Sequence, residues 1–365
     1  MKIINGLVFG PDHKMHERDL CFENGVITAE SDGETFDASG CYVLPGFIDT
    51  HIHGAYGVEF AMSDKDMTPA LDWLTEQGVT SILATLETET PEELMADAKK
   101  IAALDDDRVL GIHAEGPFVN PVRKGGMLPD RIQLPAKEIP EQIQKYSGGR
   151  LRLLSMAPEL AGADEVLKAC LAMGVKVSMA HSDADYETAK RAVDKGFSRA
   201  THTYNAMRGL NHREPAILGC ALTDDRVMCE LICDLHHVSA PAIQIVLRCK
   251  GPENITMISD SSFFAGIPEG EYNMMDRKLF VKDGFCKLED GTICGSATTL
   301  AQGAKNMFAL GCKPENIAVM ACVNPAKAAG STDRGELKEG MRADIVVLDE
   351  HFAVQAVFSA GKRVR

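Results

Sequence analysis

The chain has 365 residues, 45% of which are hydrophobic, and a formal net charge of −15 at pH 7. This length suits one large domain with a small appendage and exceeds what a single β-sandwich needs. The negative charge argues against nonspecific nucleic-acid binding, because the overall field repels polyphosphate, so an anionic substrate requires a local cluster of cations.

The composition also bears on the compartment. No apolar run reaches the roughly 18 residues that cross a bilayer, and the first residues lack the charged and apolar regions of a signal peptide. The 11 cysteines include no CxxC pair, and most stand in apolar stretches, which is typical of buried, reduced thiols. We therefore expect a cytoplasmic protein that binds neither membrane nor nucleic acid.

Both ends of the chain have the pattern of short β-strands. Residues 1–45 alternate apolar and polar positions around Asn24 and Gly25, a hairpin turn signal. Residues 334–365 contain further strand candidates separated by glycine turns. We predict that these two segments pair as one small β-sandwich domain, with residues 46–333 inserted between them as a catalytic domain.

The middle of the chain alternates short apolar strand candidates with helical stretches. This alternation is typical of parallel strands joined by crossover helices, and several helices end at a glycine, such as Gly78 and Gly196. Eight strands close a TIM barrel. We therefore predict an α/β fold, a (β/α)8 barrel, with strands at residues 47–53, 79–85, 109–115, 151–158, 175–181, 199–203, 227–234 and 255–260.

Ionisable residues fall at the carboxyl ends of these predicted strands. In a barrel of this type the carboxyl ends share one rim, where the active site is built. His51 and His53 are two residues apart, so both imidazoles lie on the same side of their strand. We expect six residues to converge at this rim: His51, His53, Glu115, His181, His202 and Asp260.

Such a set of ligands predicts a catalytic metal centre. Nitrogen and oxygen ligands without cysteine suit zinc, with iron, manganese or cobalt as alternatives. A bound divalent ion lowers the pKa of water toward 7 and so supplies a nucleophile. A serine hydrolase and an NTPase are not supported, because the sequence has neither a GxSxG elbow nor a GxxxxGK[ST] loop.

Several segments resemble the amidohydrolase superfamily and, within it, the N-acetylglucosamine-6-phosphate deacetylase family. They lie in the expected order over nearly the whole chain, at residues 45–54, 111–118, 180–182, 201–207, 213–215, 259–260, 265–266, 324–328 and 340–349. The resemblance implies a barrel with a small β-domain, metal-dependent deacetylation of an N-acetylated amino sugar phosphate in amino sugar catabolism, and a homodimer.

The resemblance also implies roles for the residues at the rim. Glu115, His181 and His202 are expected to hold the principal ion, and His51 and His53 to hold a second ion together with Glu115. The expected cofactor is thus one or two divalent ions per subunit. Asp260 is expected to act as general base, taking a proton from the attacking water and passing it to the departing amine.

The substrate phosphate has its own expected ligands. Arg213 and His237 resemble the phosphate-binding pair of the family, and the backbone at Asn205 and Ala206 contributes donors. The family counterpart of Arg213 reaches across a dimer interface. The alternative for Arg213 is a solvated surface charge, and the neighbouring His236 leaves the register at His237 open.

One position departs from the family pattern. The family has a histidine twelve residues after the metal-binding glutamate, where it polarises the substrate carbonyl, but this chain has Met127. A thioether donates no hydrogen bond, and loss of such a donor costs about 2.7–4 kcal/mol in the transition state. Three accounts stay open: compensation by the second ion, a substitute donor such as Lys124, or a changed or broadened substrate that contacts Met127.

One segment of the chain and the function itself each allow an alternative interpretation. Residues 264–295 have the pattern of a hairpin insertion, which is either a lid over the substrate or a solvated hairpin. The rival functions are an amidohydrolase that acts on a different N-acyl or cyclic amide, and a non-catalytic barrel that serves as a binding module.

Overall fold

The computed structural model describes residues 1–61, 64–274 and 277–365. Two of the other four positions fall within the predicted insertion at 264–295, and that part of the prediction lies outside the described residues. The chain opens with short strands around the turn at Asn24 and Gly25. They are β1 (Lys2–Ile4), β2 (Leu7–Phe9), β3 (Met15–Glu17), β4 (Leu20–Glu23), β5 (Val26–Thr28), β6 (Thr35–Asp37) and β7 (Tyr42–Pro45).

The next strands form the predicted barrel. A two-stranded ribbon, β9 (Gly54–Ala55) with β10 (Val58–Glu59), stands between the first and second barrel strands in the chain. All neighbouring barrel strands pair in parallel and in chain order, and each lies within or close to its predicted position. They are β8 (Phe47–Ile52), β11 (Val79–Leu86), β12 (Val109–Glu115), β13 (Leu151–Met156), β14 (Lys176–Met179), β15 (Arg199–Ala200), β16 (Met228–Ile232) and β17 (Ile255–Ile258).

Helices cover the outside of these strands. The chain alternates strand and helix here as the sequence predicts, and α2 shows why: Thr90 and Glu93 form a capping box around Pro91 at the first helical position. The helices up to β17 are α1 (Thr68–Glu76), α2 (Pro91–Ala103), α3 (Glu138–Tyr146), α4 (Ala163–Ala172), α5 (Tyr186–Lys195), α6 (Ala216–Thr223) and α7 (Ala240–Lys250).

Backbone hydrogen bonds join the first and last barrel strands just beyond their ends. The N–H of Asp260 donates to the carbonyl oxygen of His51 over 3.0 Å, and the N–H of His53 donates to that of Ser261 over 2.8 Å. The barrel is therefore nearly closed, and the seam lies at the rim that carries the predicted site. The prediction of a (β/α)8 barrel is confirmed.

The residues after β17 form a second sheet and then return to the barrel. Four antiparallel strands make this sheet: β18 (Gly270–Met274), β19 (Arg277–Lys282), β20 (Phe285–Leu288) and β21 (Ile293–Ser296). Three helices follow, α8 (Leu300–Ala309), α9 (Pro314–Ala318) and α10 (Asn324–Ala329), with a π-helical turn at Val319–Val323 between the last two.

The chain ends in β22 (Ile345–Leu348), β23 (Val354–Ser359) and β24 (Lys362–Arg363). β22 pairs antiparallel with β7, so the two ends of the chain share a six-stranded sheet. Apolar residues from both ends, including Val43 and Phe358, pack between this sheet and the four-stranded sheet of β1 and β4–β6. The boundaries at 45/46 and 333/334 stay a prediction. No helix within the described ranges is both long and apolar enough to span a membrane.

Candidate metal centre and active site

A cavity of about 230 Å³ opens at the carboxyl ends of the barrel strands. Its walls contain most of the residues that the sequence singled out: His53, Glu115, Met127, His181, His202, Asn205, Ala206, His237 and Asp260. These residues come from loops and strand ends spread over the whole barrel. The predicted convergence at the rim is therefore present in the fold, and the chemical roles of the residues stay predictions.

Glu115, His181 and His202 meet at the bottom of this cavity. Oε1 of Glu115 lies 3.2 Å from Nε2 of His181 and 2.9 Å from Nε2 of His202. The two imidazole nitrogens are 3.1 Å apart, and all three side chains are buried. One oxygen and two nitrogens thus point to one place, which is the arrangement that a divalent ion requires.

His51, His53 and Asp260 form a second group beside the first. Oδ1 of Asp260 lies 3.3 Å from Nε2 of His51 and 3.4 Å from Nε2 of His53. Glu115 lies between the two groups, because its Oε2 atom is 3.2 Å from Nε2 of His53 and its Oε1 atom 3.5 Å from Nε2 of His51. Glu115 is therefore placed to contact both candidate ion positions.

The electrostatics of these groups fit a cation. Burial tends to lower the pKa of His51, but the carboxylates of Glu115 and Asp260 outweigh it and raise the pKa to about 10. The buried Nε2 atom of His51 nonetheless lacks a well-aligned hydrogen-bond partner, and an unsatisfied buried polar atom is costly. A divalent ion would satisfy this nitrogen and neutralise the carboxylates, so the residues fit the metal that the sequence predicts.

Three residues of the site have left-handed backbone conformations. The φ angles of His181, His202 and Asp260 are 44°, 30° and 51°, in a region that non-glycine residues adopt at a cost. Each lies two residues beyond the end of its strand, in β14, β15 and β17 respectively. This sharp turn ends β14 and β15 earlier than the sequence predicts and directs the three side chains into the cavity.

Asp260 is charged at neutral pH. Burial tends to raise its pKa, but the charge of His51 and the hydrogen bond with His53 lower the pKa to about 2. A carboxylate in this state accepts a proton from a neighbouring water and has no proton of its own to give first. The geometry therefore supports the general-base role that the resemblance implies for Asp260.

One wall of the cavity carries the predicted phosphate ligands. Asn205 and Ala206 follow β15, and His237 follows β16. Nδ1 of His237 lies 2.6 Å from Oδ2 of Asp234, while the ring of His236 packs on Phe285 with centroids 4.6 Å apart. Of these two neighbours, His237 lines the cavity, whereas His236 packs against β20, and the phosphate-binding role of His237 stays a prediction.

Arg213 lies outside the cavity of its own chain. It is exposed in a turn between Asn211 and Glu214, and its backbone N–H donates to Oδ1 of Asn211 over 3.1 Å. Among the described residues, Arg131 is the one arginine that lines the cavity, and it forms an ion pair with Glu93. Sequence reasoning missed Arg131, because it stands in a short 3-10 turn, Pro129–Arg131, after β12 with no motif around it.

Met127 lines the cavity as the sequence suggested. The hydroxyl of Thr88 donates to its sulfur over 3.0 Å. Nζ of Lys124 instead lies 3.2 Å from the carbonyl oxygen of Gly125 and 3.4 Å from that of Met127, and Lys124 is not among the residues that line the cavity. The account in which Lys124 replaces the family histidine therefore has no support in the described residues.

The sheet after β17 contributes to the cavity wall. Ile293 and Gly295 of β21 line it, and the N–H of Ser296 donates to the carbonyl oxygen of Asp260 over 2.9 Å. The segment is thus joined to the backbone of the site. Of the two interpretations for residues 264–295, this arrangement favours a cover over the substrate.

Comparisons with known proteins show which family the chain matches. The model of the amidohydrolase family matches residues 42–364. N-acetylglucosamine-6-phosphate deacetylase of Lysinibacillus sphaericus is 33% identical over 336 residues, 90% of this chain and 87% of that protein. N-acetylgalactosamine-6-phosphate deacetylase of Escherichia coli O157:H7 is 34% identical over 329 residues, 88% of this chain and 87% of that protein.

Solved structures agree over the full length. A mutant of N-acetyl-D-glucosamine-6-phosphate deacetylase from Mycobacterium smegmatis, in complex with N-acetyl-D-glucosamine-6-phosphate, matches with a TM-score of 0.93 at 29% identity, covering 100% of this chain and 99% of that one. The deacetylase of Thermotoga maritima matches with a TM-score of 0.91 at 31% identity, with the same coverage. The likeness thus includes both the barrel and the sheets built from the chain ends.

Proposed function

We propose, from the premise that this chain belongs to the amidohydrolase family, that it hydrolyses N-acetyl-D-glucosamine 6-phosphate, or a close N-acetylhexosamine 6-phosphate, to acetate and the amino sugar phosphate. The relatives that match most of its length carry the names of such deacetylases. The enzyme is a hydrolase of linear amide bonds in amino sugar catabolism.

The convergence of Glu115, His181 and His202 opposite Asp260 is the observation that carries this proposal. We infer that the first three residues hold a divalent ion and that His51 and His53 hold a second one. Zinc suits these nitrogen and oxygen ligands, and iron, manganese and cobalt are also compatible with them. When bound, such an ion polarises the amide carbonyl and acidifies water.

Asp260 does the proton chemistry. Its carboxylate takes a proton from the attacking water as the new carbon–oxygen bond forms, and it then gives that proton to the amide nitrogen. The second transfer is necessary because an amide anion is a poor leaving group, whereas a protonated amine departs readily. The low pKa of Asp260 keeps it ready for the first transfer at neutral pH.

The phosphate is held at the opposite wall. His237 supplies a positive charge, and the backbone at Asn205 and Ala206 supplies further donors near the carboxyl end of β15. Arg213 is exposed and does not line the cavity of its own chain, so we infer a homodimer in which Arg213 of the partner subunit completes the phosphate site. Arginine suits this role because its planar guanidinium binds two phosphate oxygens at once.

The rival functions have less support. A different amide substrate does not account for the names of the relatives, which agree on an N-acetylated amino sugar phosphate. A non-catalytic barrel has no need for buried, converging ligands, yet four of the five proposed ligands line one cavity with Asp260, and His51 contacts Asp260 behind the cavity wall. We also propose a cytoplasmic location, in keeping with the buried thiols of Cys170, Cys233 and Cys322.

Acetate release from purified protein of known metal content tests the proposal. The substrates are N-acetylglucosamine and N-acetylgalactosamine, each with and without the 6-phosphate. We expect turnover of at least one phosphorylated sugar, a much lower kcat/KM without the phosphate, and a loss of about 100- to 10,000-fold in kcat for Asp260→Asn. Equal activity on phosphorylated and free sugars would contradict the proposal.

A further inference from the structure

The interior of the barrel contains a glutamate, Glu230 of β16, where branched apolar side chains are the rule. Glu230 is completely buried. Its Oε1 atom lies 3.4 Å from both Nε and Nη2 of Arg199, which is also buried and whose Nη2 lies 3.1 Å from the hydroxyl of Thr256. Such a buried ion pair is costly, since both charges lose hydration, and apolar side chains would fill the space at no loss of stability.

The buried ion pair of Glu230 and Arg199 contacts His51, a proposed metal ligand. Nδ1 of His51 lies 3.3 Å from Oε2 of Glu230, the carboxylate oxygen that Arg199 leaves available. The other ring nitrogen, Nε2, faces Asp260 and Glu115 in the metal centre. An imidazole whose Nδ1–H donates to a carboxylate keeps its lone pair on Nε2, the form that binds a metal.

Among the other ligand histidines, Nδ1 of His202 has no hydrogen-bond partner in the described residues, and His181 and His53 have uncharged or more distant partners. Nδ1 of His181 lies 2.8 Å from the carbonyl oxygen of Arg123, and Nδ1 of His53 lies 3.9 Å from Oε1 of Glu87. His51 therefore stands out, since its partner is a carboxylate within hydrogen-bond range that a buried arginine holds in place. Because Arg199 contacts Oε1 of Glu230, it fixes the orientation of the carboxylate and leaves Oε2 facing His51.

We propose that Glu230, held by Arg199, is a positioning residue of the metal centre. It keeps the ring of His51 in one orientation and one tautomer, with the Nε2 lone pair available to the ion that His51 and His53 would hold. The inference rests on the proposed function only in requiring a metal ion, and it holds for any substrate.

The substitution Glu230→Gln tests this role at constant shape. The donors of Arg199 demand the amide oxygen, so the amide NH2 group turns toward Nδ1 of His51 and favours the tautomer with its proton on Nε2. That proton occupies the position of the metal. We expect zinc affinity, measured by competition with a chromophoric chelator, to fall about 10- to 100-fold, and imidazole ¹⁵N shifts to report the changed tautomer of His51.

Asp344→Asn is the matched control. Asp344 is a buried carboxylate 3.0 Å from Nε of Arg342, among residues of the six-stranded sheet far from the cavity. We expect this control to lower stability without changing zinc affinity. Should Glu230→Gln fail to fold, Arg199→Lys removes the planar donor pair while keeping the charge, and we expect a zinc affinity at least about threefold below that of the parent.

The outcomes separate this inference from the proposed function. If the parent chain binds zinc and the Glu230→Gln or Arg199→Lys variant binds it equally tightly, the positioning role is wrong and the proposed function stands. If the parent chain binds no divalent metal at all, both are wrong. Weaker binding in the variants with unchanged binding in Asp344→Asn supports the role.

Discussion

The sulfur of Met127 lies 3.0 Å from the hydroxyl oxygen of Thr88, which also lies 3.1 Å from the carbonyl oxygen of Glu115. Met127 thus contacts Thr88, which in turn contacts the backbone of the proposed metal ligand Glu115. The thioether accepts a hydrogen bond from Thr88, and it has none to offer a substrate.

Met127→His tests whether a carbonyl donor was lost here. A missing donor is worth about 2.7–4 kcal/mol, roughly 100-fold or more in kcat. We expect an increase of less than about threefold on N-acetylglucosamine 6-phosphate, because His51 and His53 provide for a second ion and the wall at Met127 serves packing. Met127→Leu is the control, since it keeps the apolar wall. A gain of tenfold or more with histidine would show that the donor was missing.

The affinity for phosphate should depend on pH through His237. Burial tends to lower the pKa of His237, but the carboxylate of Asp234 outweighs it and raises the pKa above its ordinary value of 6.5. The imidazole is cationic below this raised pKa, so KM for the phosphorylated substrate stays low at pH 6.5. KM then increases as the pH rises through the raised pKa of His237. Asp234→Asn should move this increase to lower pH, and KM for an unphosphorylated sugar should show no such step.

Mixing two inactive variants tests the shared phosphate site. Arg213→Ala keeps Asp260, and Asp260→Asn keeps Arg213. If Arg213 acts in the partner's cavity, one cavity of each mixed dimer is complete, so subunit exchange should restore about a quarter of the parent activity. Mixing without exchange, checked by cross-linking, is the control. Activity that stays at the level of the separate variants after exchange would place Arg213 in its own subunit or outside the site.

Glu89 should limit stability at alkaline pH. Burial, with the nearby carboxylates of Asp97, Glu87 and Glu93, raises its pKa from 4.5 to about 9. The unfolded chain ionises this group near pH 4.5, whereas the folded chain keeps it protonated, so unfolding releases a proton and stability falls as the pH rises toward 9. In Glu89→Gln the amide side chain does not ionise, so its unfolding releases no proton at this position.

We therefore expect Glu89→Gln to raise Tm at pH 8.5 by about 2 °C or more, equivalent to roughly 1 kcal/mol. The difference should shrink toward pH 4.5, where the parent carboxyl is protonated in the fold and half-protonated when unfolded. Glu92→Gln, at an exposed position in the first turn of α2 and three residues after Glu89, controls for the change of net charge. A constant difference across this pH range would contradict the assignment.

The barrel and most of the residues that line the cavity could be predicted from the sequence, for a physical reason. Parallel strands buried on both faces are apolar runs, and a charged residue at the end of such a run has to lie at the rim. His181 and His202 were therefore placed correctly. The lengths of β14 and β15 were overestimated, because nothing in the residue types announces the left-handed turns that end them.

The supporting residues could not be paired from the sequence. His51 and Glu230 are 179 positions apart, and their contact depends on the stagger between strands that are not neighbours. A signal was nevertheless present: Glu230 interrupts the apolar run of residues 227–233, where a charge needs a buried partner. Arg131 gave no such signal, since it stands in a short 3-10 turn between β12 and α3, outside any apolar run.

The seam of the barrel has a consequence for how the protein matures. Glu115 ends β12, and His181 and His202 follow β14 and β15, so the first set comes from one run of adjacent strands. His51 and His53 meet Asp260 across the seam between the first and last strands. During synthesis the second set stays divided until β17, the last barrel strand, has left the ribosome. A metal ion could therefore bind to the second set only once the barrel is complete. An ion that spans the seam would in turn oppose its opening, linking cofactor supply to resistance against unfolding.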